Sequence, residues 1–121
     1  MGKTTMRMVY VATPYAGLSD VSETNRPFLA RYIAKNACAR VREAGYIPIS
    51  PVLAFSDIFD EQKDRECVLN AGLELLSHCS YVYFYDLHPD AFNSEGMRKE
   101  REYARELGIS ELDLDRGLWI D

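Results

Sequence analysis

Residues 80–85, Ser-Tyr-Val-Tyr-Phe-Tyr, are apolar or aromatic almost without a break and end at Asp86. No other stretch restricts the fold as tightly. A strand that is apolar on both sides needs cover on both faces, which is the situation inside a parallel sheet. Residues 6–13 form a second such run, rich in β-branched and aromatic side chains and stopped by Pro14. It reads as another buried strand, with residues 13–17 as the tight loop leaving it.

The segments between are helical in period. Leu29, Ile33, Ala37, Val41 and Ala44 give a core-facing stripe for a helix over residues 23–44. Ser22 or Asp20 is placed to cap it, Pro27 lies in its first turn, and Gly45 suits its stop. Residues 46–49 read as a short strand whose Pro48 puts it at a sheet edge or a strand end. Residues 50–59 read as a loop with two apolar patches. A second helix follows over 61–78, with Val68, Gly72, Leu75 and Leu76 along one side. A third covers 95–107 and is closed by Gly108; in the acidic tail, 109–121, Leu112 and Leu114 have strand spacing. Strands alternating with helices predict βαβ crossovers. The expected fold is α/β, a flavodoxin- or Rossmann-like three-layer sandwich with a mostly parallel sheet of four to five strands. Ligands of such sheets sit beyond the carboxyl ends of the strands. The loops at 13–17 and 86–96 fall there.

The length of 121 residues suits one domain, 1–121. A net charge of −5 argues against a nucleic-acid polymer as partner, though not against a local pocket for one phosphate. Cys38, Cys67 and Cys79 are odd in number and match neither a zinc nor a redox spacing. They read as reduced, mostly buried thiols of a cytoplasmic protein. No apolar run approaches the ~20 residues of a membrane span, and residues 1–6 do not resemble a secretion signal. No membrane partner is expected.

The chemistry concentrates in Ser94-Glu95-Gly96-Met97-Arg98-Lys99-Glu100. A helix N-terminus after a strand exit offers backbone N–H groups and a positive dipole to an anion. Gly96 allows close approach, and Ser94 adds a hydroxyl. Met97, Glu100, Ala104 and Leu107 follow a 3-4-3 spacing, which turns Glu100 onto the apolar stripe. A carboxylate aimed inward needs a partner or a task. It is either a nucleophile or acid/base group, or a boundary glutamate paired with an arginine.

Three segments in order resemble the nucleoside 2-deoxyribosyltransferase-like superfamily. They are Val9-Tyr10-Val11-Ala12-Thr13-Pro14-Tyr15-Ala16-Gly17, then Gly45-Tyr46-Ile47-Pro48-Ile49-Ser50-Pro51, then Ser94-x-Gly96-Met97-x-x-Glu100 with Ala104 and Gly108. The resemblance spans residues 7–109 and is nearest to small phage and bacterial domains of unassigned role. It implies that Glu100 attacks the anomeric carbon of a ribosyl or deoxyribosyl group, with water or a second base releasing the sugar. It implies that Tyr10 lies near the sugar or the nucleophile. Thr13, Pro14, Tyr15 and Gly17 would line the sugar-phosphate pocket, and Ser94, Gly96 and Met97 would meet the 5′-phosphate. Serine at position 94 leans toward a nucleotide rather than a free nucleoside. The resemblance also implies a homodimer or larger homo-oligomer, and no cofactor or metal. One position departs from the pattern. The enzymes carry an aspartate on the second helix that helps protonate the leaving base, and the matching residue here is Gly72.

Other signals weigh less. Gly2-Lys3-Thr4-Thr5 lacks the first glycine of a phosphate loop and precedes the first strand. His78 and His88 are isolated. Asp86, Asp90, Asp113 and Asp115 read as solvated loop acids. Tyr81, Tyr83 and Tyr85 line one side of a strand, as core or a subunit contact. Asp57 either enters the pocket or serves a surface turn. The resulting expectation is a nucleotide N-glycosidase or (deoxy)ribosyltransferase with a small-molecule nucleotide or nucleoside as partner. The alternatives are a nucleotide-binding or sequestering module without catalysis, and an interaction domain whose cleft is filled.

Overall fold

β1 (Met8–Ala12) is the strand around which the rest of the molecule is arranged. The structure, a computed structural model, describes residues 6–60 and 63–116. The segment at 2–5, the start of the second helix at 61 and the tail beyond 116 lie outside the described residues. β1 pairs in parallel with β2 (Ile47–Ile49) on one side and β3 (Tyr81–Phe84) on the other. β3 pairs in parallel with the short β4 (Ser110–Glu111), so the order is β2-β1-β3-β4. Pro48 therefore sits on an edge strand, where its missing N–H costs no ladder bond.

Right-handed crossovers decide which face each helix covers. Passing from β1 out to β2 carries α1 (Arg26–Glu43) over one face. Passing back across β1 to β3, then on to β4, carries α3 (Arg65–Ser77) and α4 (Glu95–Leu107) over the other. The pleat of β1 divides its side chains accordingly. Val9 and Val11 pack with Ala37 and Val41 of α1 and with Tyr83 of β3. Tyr10 and Ala12 pack with Leu76 of α3, Met97 and Ala104 of α4, and Val82 and Phe84 of β3. The result is an all-parallel four-stranded α/β sandwich of the Rossmann or flavodoxin kind, with the reversal of strand order falling between β1 and β3.

Several expectations are corrected. Residues 50–59 are not all loop: α2 (Pro51–Phe55) forms there, because Ser50 caps it by accepting from the Leu53 N–H at 3.2 Å and Pro51 is its first residue. α1 begins later than expected, at Asn25 as N-cap, and Ser22 instead accepts from the Asn25 N–H. Its buried stripe is Ala30, Ile33, Ala34, Ala37 and Val41, while Ala44 is an exposed C-cap. Leu107 is 44% exposed at the end of α4. Leu112 and Leu114 lie past β4 and pack on the α1 side of the sheet. Cys67 is exposed, whereas Cys38 is half-buried and Cys79 buried.

Asp115 is buried rather than solvated. It accepts from the Tyr83 hydroxyl at 2.9 Å and from the Arg40 guanidinium at 2.6 Å, tying the segment after β4 to the α1 layer. The tyrosines at 81, 83 and 85 are packed in that same layer. Asp90 clamps two loops, accepting from the N–H and hydroxyl of Ser19, and those bonds hold its carboxyl below the usual range. Asp86 pairs with Arg101 at 2.6 Å. No helix among the described residues is long and apolar enough to cross a membrane.

Candidate functional site

A cleft of about 290 Å3 opens beyond the carboxyl ends of β1, β2 and β3. Each strand lines it with its own exit segment. After β1 come Thr13, Tyr15, Ala16 and Gly17; after β2, Pro51 and Val52 of α2; after β3 and its loop, Asn93, Ser94, Glu95 and Gly96. α3 adds Arg65, Val68, Leu69 and Gly72, and Tyr10 and Glu100 complete the lining. The cleft is open, not filled by side chains. A second, shallower hollow beside it shares Tyr15, Ala16 and Arg65.

Glu100 is the centre of the arrangement. α4 starts at Ser94, whose side chain accepts from the Met97 N–H at 3.2 Å, and ends at Gly108 in the left-handed conformation (φ 72°). That frame fixes the helical phase that turns Met97, Glu100 and Ala104 inward. Glu100 is 8% exposed. The Tyr10 hydroxyl, delivered by the pleat of β1, donates a hydrogen bond to Glu100 Oε2. Among the described residues no arginine, lysine or histidine pairs with this carboxylate. Burial pushes the Glu100 carboxyl up to about 7, while the bond from Tyr10 works in the opposite direction. Tyr10 is held well above its ordinary value, first by burial and then by the neighbouring Glu100 charge.

Gly72 has a steric reason to be glycine. A Cβ there would stand 3.1 Å from the Tyr10 hydroxyl oxygen. The hydroxyl that holds Glu100 would thus be crowded by a side chain on this turn of α3.

The polar end of the cleft gathers hydrogen-bond donors and a cation. The Ser94 hydroxyl accepts as the N-cap and keeps its own proton to donate. The first-turn N–H groups of Glu95 and Gly96 lie at the positions that have no intrahelical acceptor. Thr13 is 7% exposed, and its Oγ1 is buried with no hydrogen-bond partner among the described residues. Arg65 at the start of α3 is an exposed cation at the cleft. Glu95 points the other way in charge but is engaged by Arg98, which holds its carboxyl below the usual range. Pro51, Val52, Val68 and Leu69 form an apolar part of the lining.

Most expected site residues meet here: Tyr10, Thr13, Tyr15, Gly17, Ser94, Gly96 and Glu100 all line the cleft. Pro14 and Met97 are buried beside it, and Met97 contributes only its capped N–H. Asp57 does not enter. Its side chain is 95% exposed and lies 4.0 Å from Arg31, because α2 and the turn after it carry the chain outward. His78 is the C-cap of α3 and His88 the N-cap of the 3-10 turn Pro89–Ala91. Arg65 and the α2 wall join the site without having been expected there. Starting the second helix at 61 puts Arg65 in its second turn, whereas α3 begins with it.

Fold and cleft together define a parallel α/β protein with a carboxyl-end cavity built round a buried carboxylate. Its family is the one described as Domain of unknown function (DUF7768), which matches residues 7–112, and the chain belongs to it. No curated protein and no solved structure matches the chain.

Proposed function

We propose that the protein cleaves or transfers the N-glycosidic bond of a nucleotide, with Glu100 as nucleophile. The observation that carries this reading is the buried Glu100 carboxylate, held by the Tyr10 hydroxyl and facing an open cleft. A structural glutamate would have an arginine partner; this one has a tyrosine and a cavity. The Glu100 carboxylate attacks C1′ of the sugar, the C1′–N bond breaks and its electron pair leaves with the base. Water, or a second base, then attacks C1′ of the glycosyl ester and frees the carboxylate, and the proton it loses passes through solvent to the departed base. Thr13, Ser94, the Glu95 and Gly96 N–H groups and Arg65 are the groups that would take the 5′-phosphate.

A second reading is a nucleotide-binding module without turnover. It is favoured by Gly72, which leaves that turn of α3 without a proton donor. Chromatography of nucleoside monophosphates incubated with the wild type, Glu100→Ala and Glu100→Gln separates the two. Free base released by the wild type alone supports the enzyme. Ligand-induced thermal stabilisation without product supports the module. Turnover that survives in both variants removes Glu100 from the mechanism.

A further inference from the structure

A neutral purine or pyrimidine leaves a sugar as an anion unless it is protonated, so its enzymes need an acid aimed at the base. General acid assistance is worth ~10² to 10⁴ in rate. The described residues that line the cleft include two carboxyls, Glu95 and Glu100, and neither is such an acid. Glu95 sits exposed at the first turn of α4 in an ion pair with Arg98. Glu100 must be ionised to attack. The Tyr10 hydroxyl proton is already engaged in the hydrogen bond to Glu100. The turn of α3 that faces them holds Gly72, which carries no acid, and a Cβ there would crowd the Tyr10 hydroxyl at 3.1 Å. A second gap lies at the same spot. Glu100 is 8% exposed and has no cationic partner among the described residues, so its negative charge is uncompensated until a ligand arrives.

One kind of substrate fills both gaps. Resting on the reading of Glu100 as nucleophile, we propose that the leaving base is a ring with a fixed positive charge, a pyridinium joined through its nitrogen to a 5′-phosphorylated ribose. Such a ring brings the countercharge that the buried carboxylate lacks. It also departs without a proton. As the Glu100 oxygen bonds to C1′, the C1′–N pair collapses onto the ring nitrogen and neutralises it. Water then attacks C1′, Glu100 leaves as carboxylate, and one proton passes to solvent. The apolar wall of Pro51, Val52, Val68 and Leu69 accepts the flat ring, and the groups at Thr13, Ser94 and Arg65 accept the phosphate. The hollow continuing past Tyr15 and Arg65 leaves room for a second nucleotide joined to that phosphate.

The test is a competition in kcat/KM. Nicotinamide mononucleotide and nicotinamide adenine dinucleotide are compared with the monophosphates of adenosine, guanosine, cytidine and uridine, using wild type and Glu100→Ala. A kcat/KM for at least one pyridinium compound ~100-fold or more above every neutral-base nucleotide is expected, from the missing acid, with activity lost in Glu100→Ala. The better of the two pyridinium compounds decides between mononucleotide and dinucleotide. Neutral-base nucleotides cleaved as fast as the pyridinium compounds, or faster, overturn this inference and leave the glycosidase reading standing. No Glu100-dependent cleavage of any compound overturns both.

Discussion

Burying Glu100 without a cation makes a quantitative demand on stability. Its carboxyl is pushed from the ordinary 4.5 up to about 7, chiefly by burial. The folded protein therefore binds a proton more tightly than the unfolded chain does, and stability falls with pH wherever the folded state holds the extra proton. Below 4.5 both states are protonated and the carboxyl makes no difference. Between 4.5 and 7 the cost grows, and above 7 it is complete, at about 3 kcal/mol. Glu100→Gln keeps the shape and an oxygen for the Tyr10 hydroxyl but cannot ionise. Any constant penalty of the amide cancels when the difference between the two proteins is followed against pH. The assay is thermal unfolding of wild type and Glu100→Gln from pH 4.5 to pH 8.5. The variant should gain on the wild type across that range, by roughly 10 °C for a domain of this size. Melting curves that stay parallel over the whole range would refute the argument, since they would mean that the carboxylate is compensated in the fold. A variant that loses ground as pH rises would show a structural ion pair.

The remaining predictions concern the same cluster and one control. For the glycosidase reading, kcat/KM should climb with pH as Glu100 ionises, with a midpoint near the 7 of its carboxyl in the free protein. Tyr10→Phe removes a bond to the charged form, so that midpoint should move up by about one pH unit or more in the pH–rate profile. Gly72→Ala gains ~1 kcal/mol of helix propensity but sets a methyl 3.1 Å from the Tyr10 hydroxyl; calorimetry should find little net change in stability while the rate falls. Asp115→Ala breaks the link to Tyr83 and Arg40 on the opposite layer, so urea unfolding should show a loss of about 2 kcal/mol with the rate per folded molecule unchanged.

What could be read from the sequence was what local signals encode. α4 was legible end to end because Ser94 and Gly108 cap it within its own sequence, and the 3-4 spacing of Met97, Glu100 and Ala104 gave the inward turn of Glu100. The parallel sheet came from two runs too apolar to face water. α2 escaped because five residues show no period; its signal was the Ser50-Pro51 pair, an N-cap followed by a first-turn proline. Arg65 escaped because a helix begun at 61 starts four residues ahead of α3. Asp115 escaped because its partners Tyr83 and Arg40 are brought to it only by the fold, and no spacing along the chain announces them. The contact between Tyr10 and the Gly72 turn is of the same tertiary kind.

The cleft stands out from the rest of the molecule by the costs gathered in it. Outside the cleft, Asp86 is answered by Arg101, Asp90 by Ser19, and Asp115 by Tyr83 and Arg40. In the cleft a carboxylate is buried with no cation, and the Thr13 hydroxyl with no partner, among the described residues, and a glycine interrupts a helix at its middle. The first two lower stability, and each has an obvious replacement that would raise it: a glutamine or leucine for Glu100, a valine for Thr13. Local rules broken together at one place mark a site where something other than folding sets the residues. The three breaches are also coupled. A Cβ on residue 72 would crowd the Tyr10 hydroxyl that holds Glu100, and the ionised Glu100 has no cationic partner among the described residues. A bound ligand, as proposed above, would give the Glu100 carboxylate and the Thr13 hydroxyl the partners that the described residues do not.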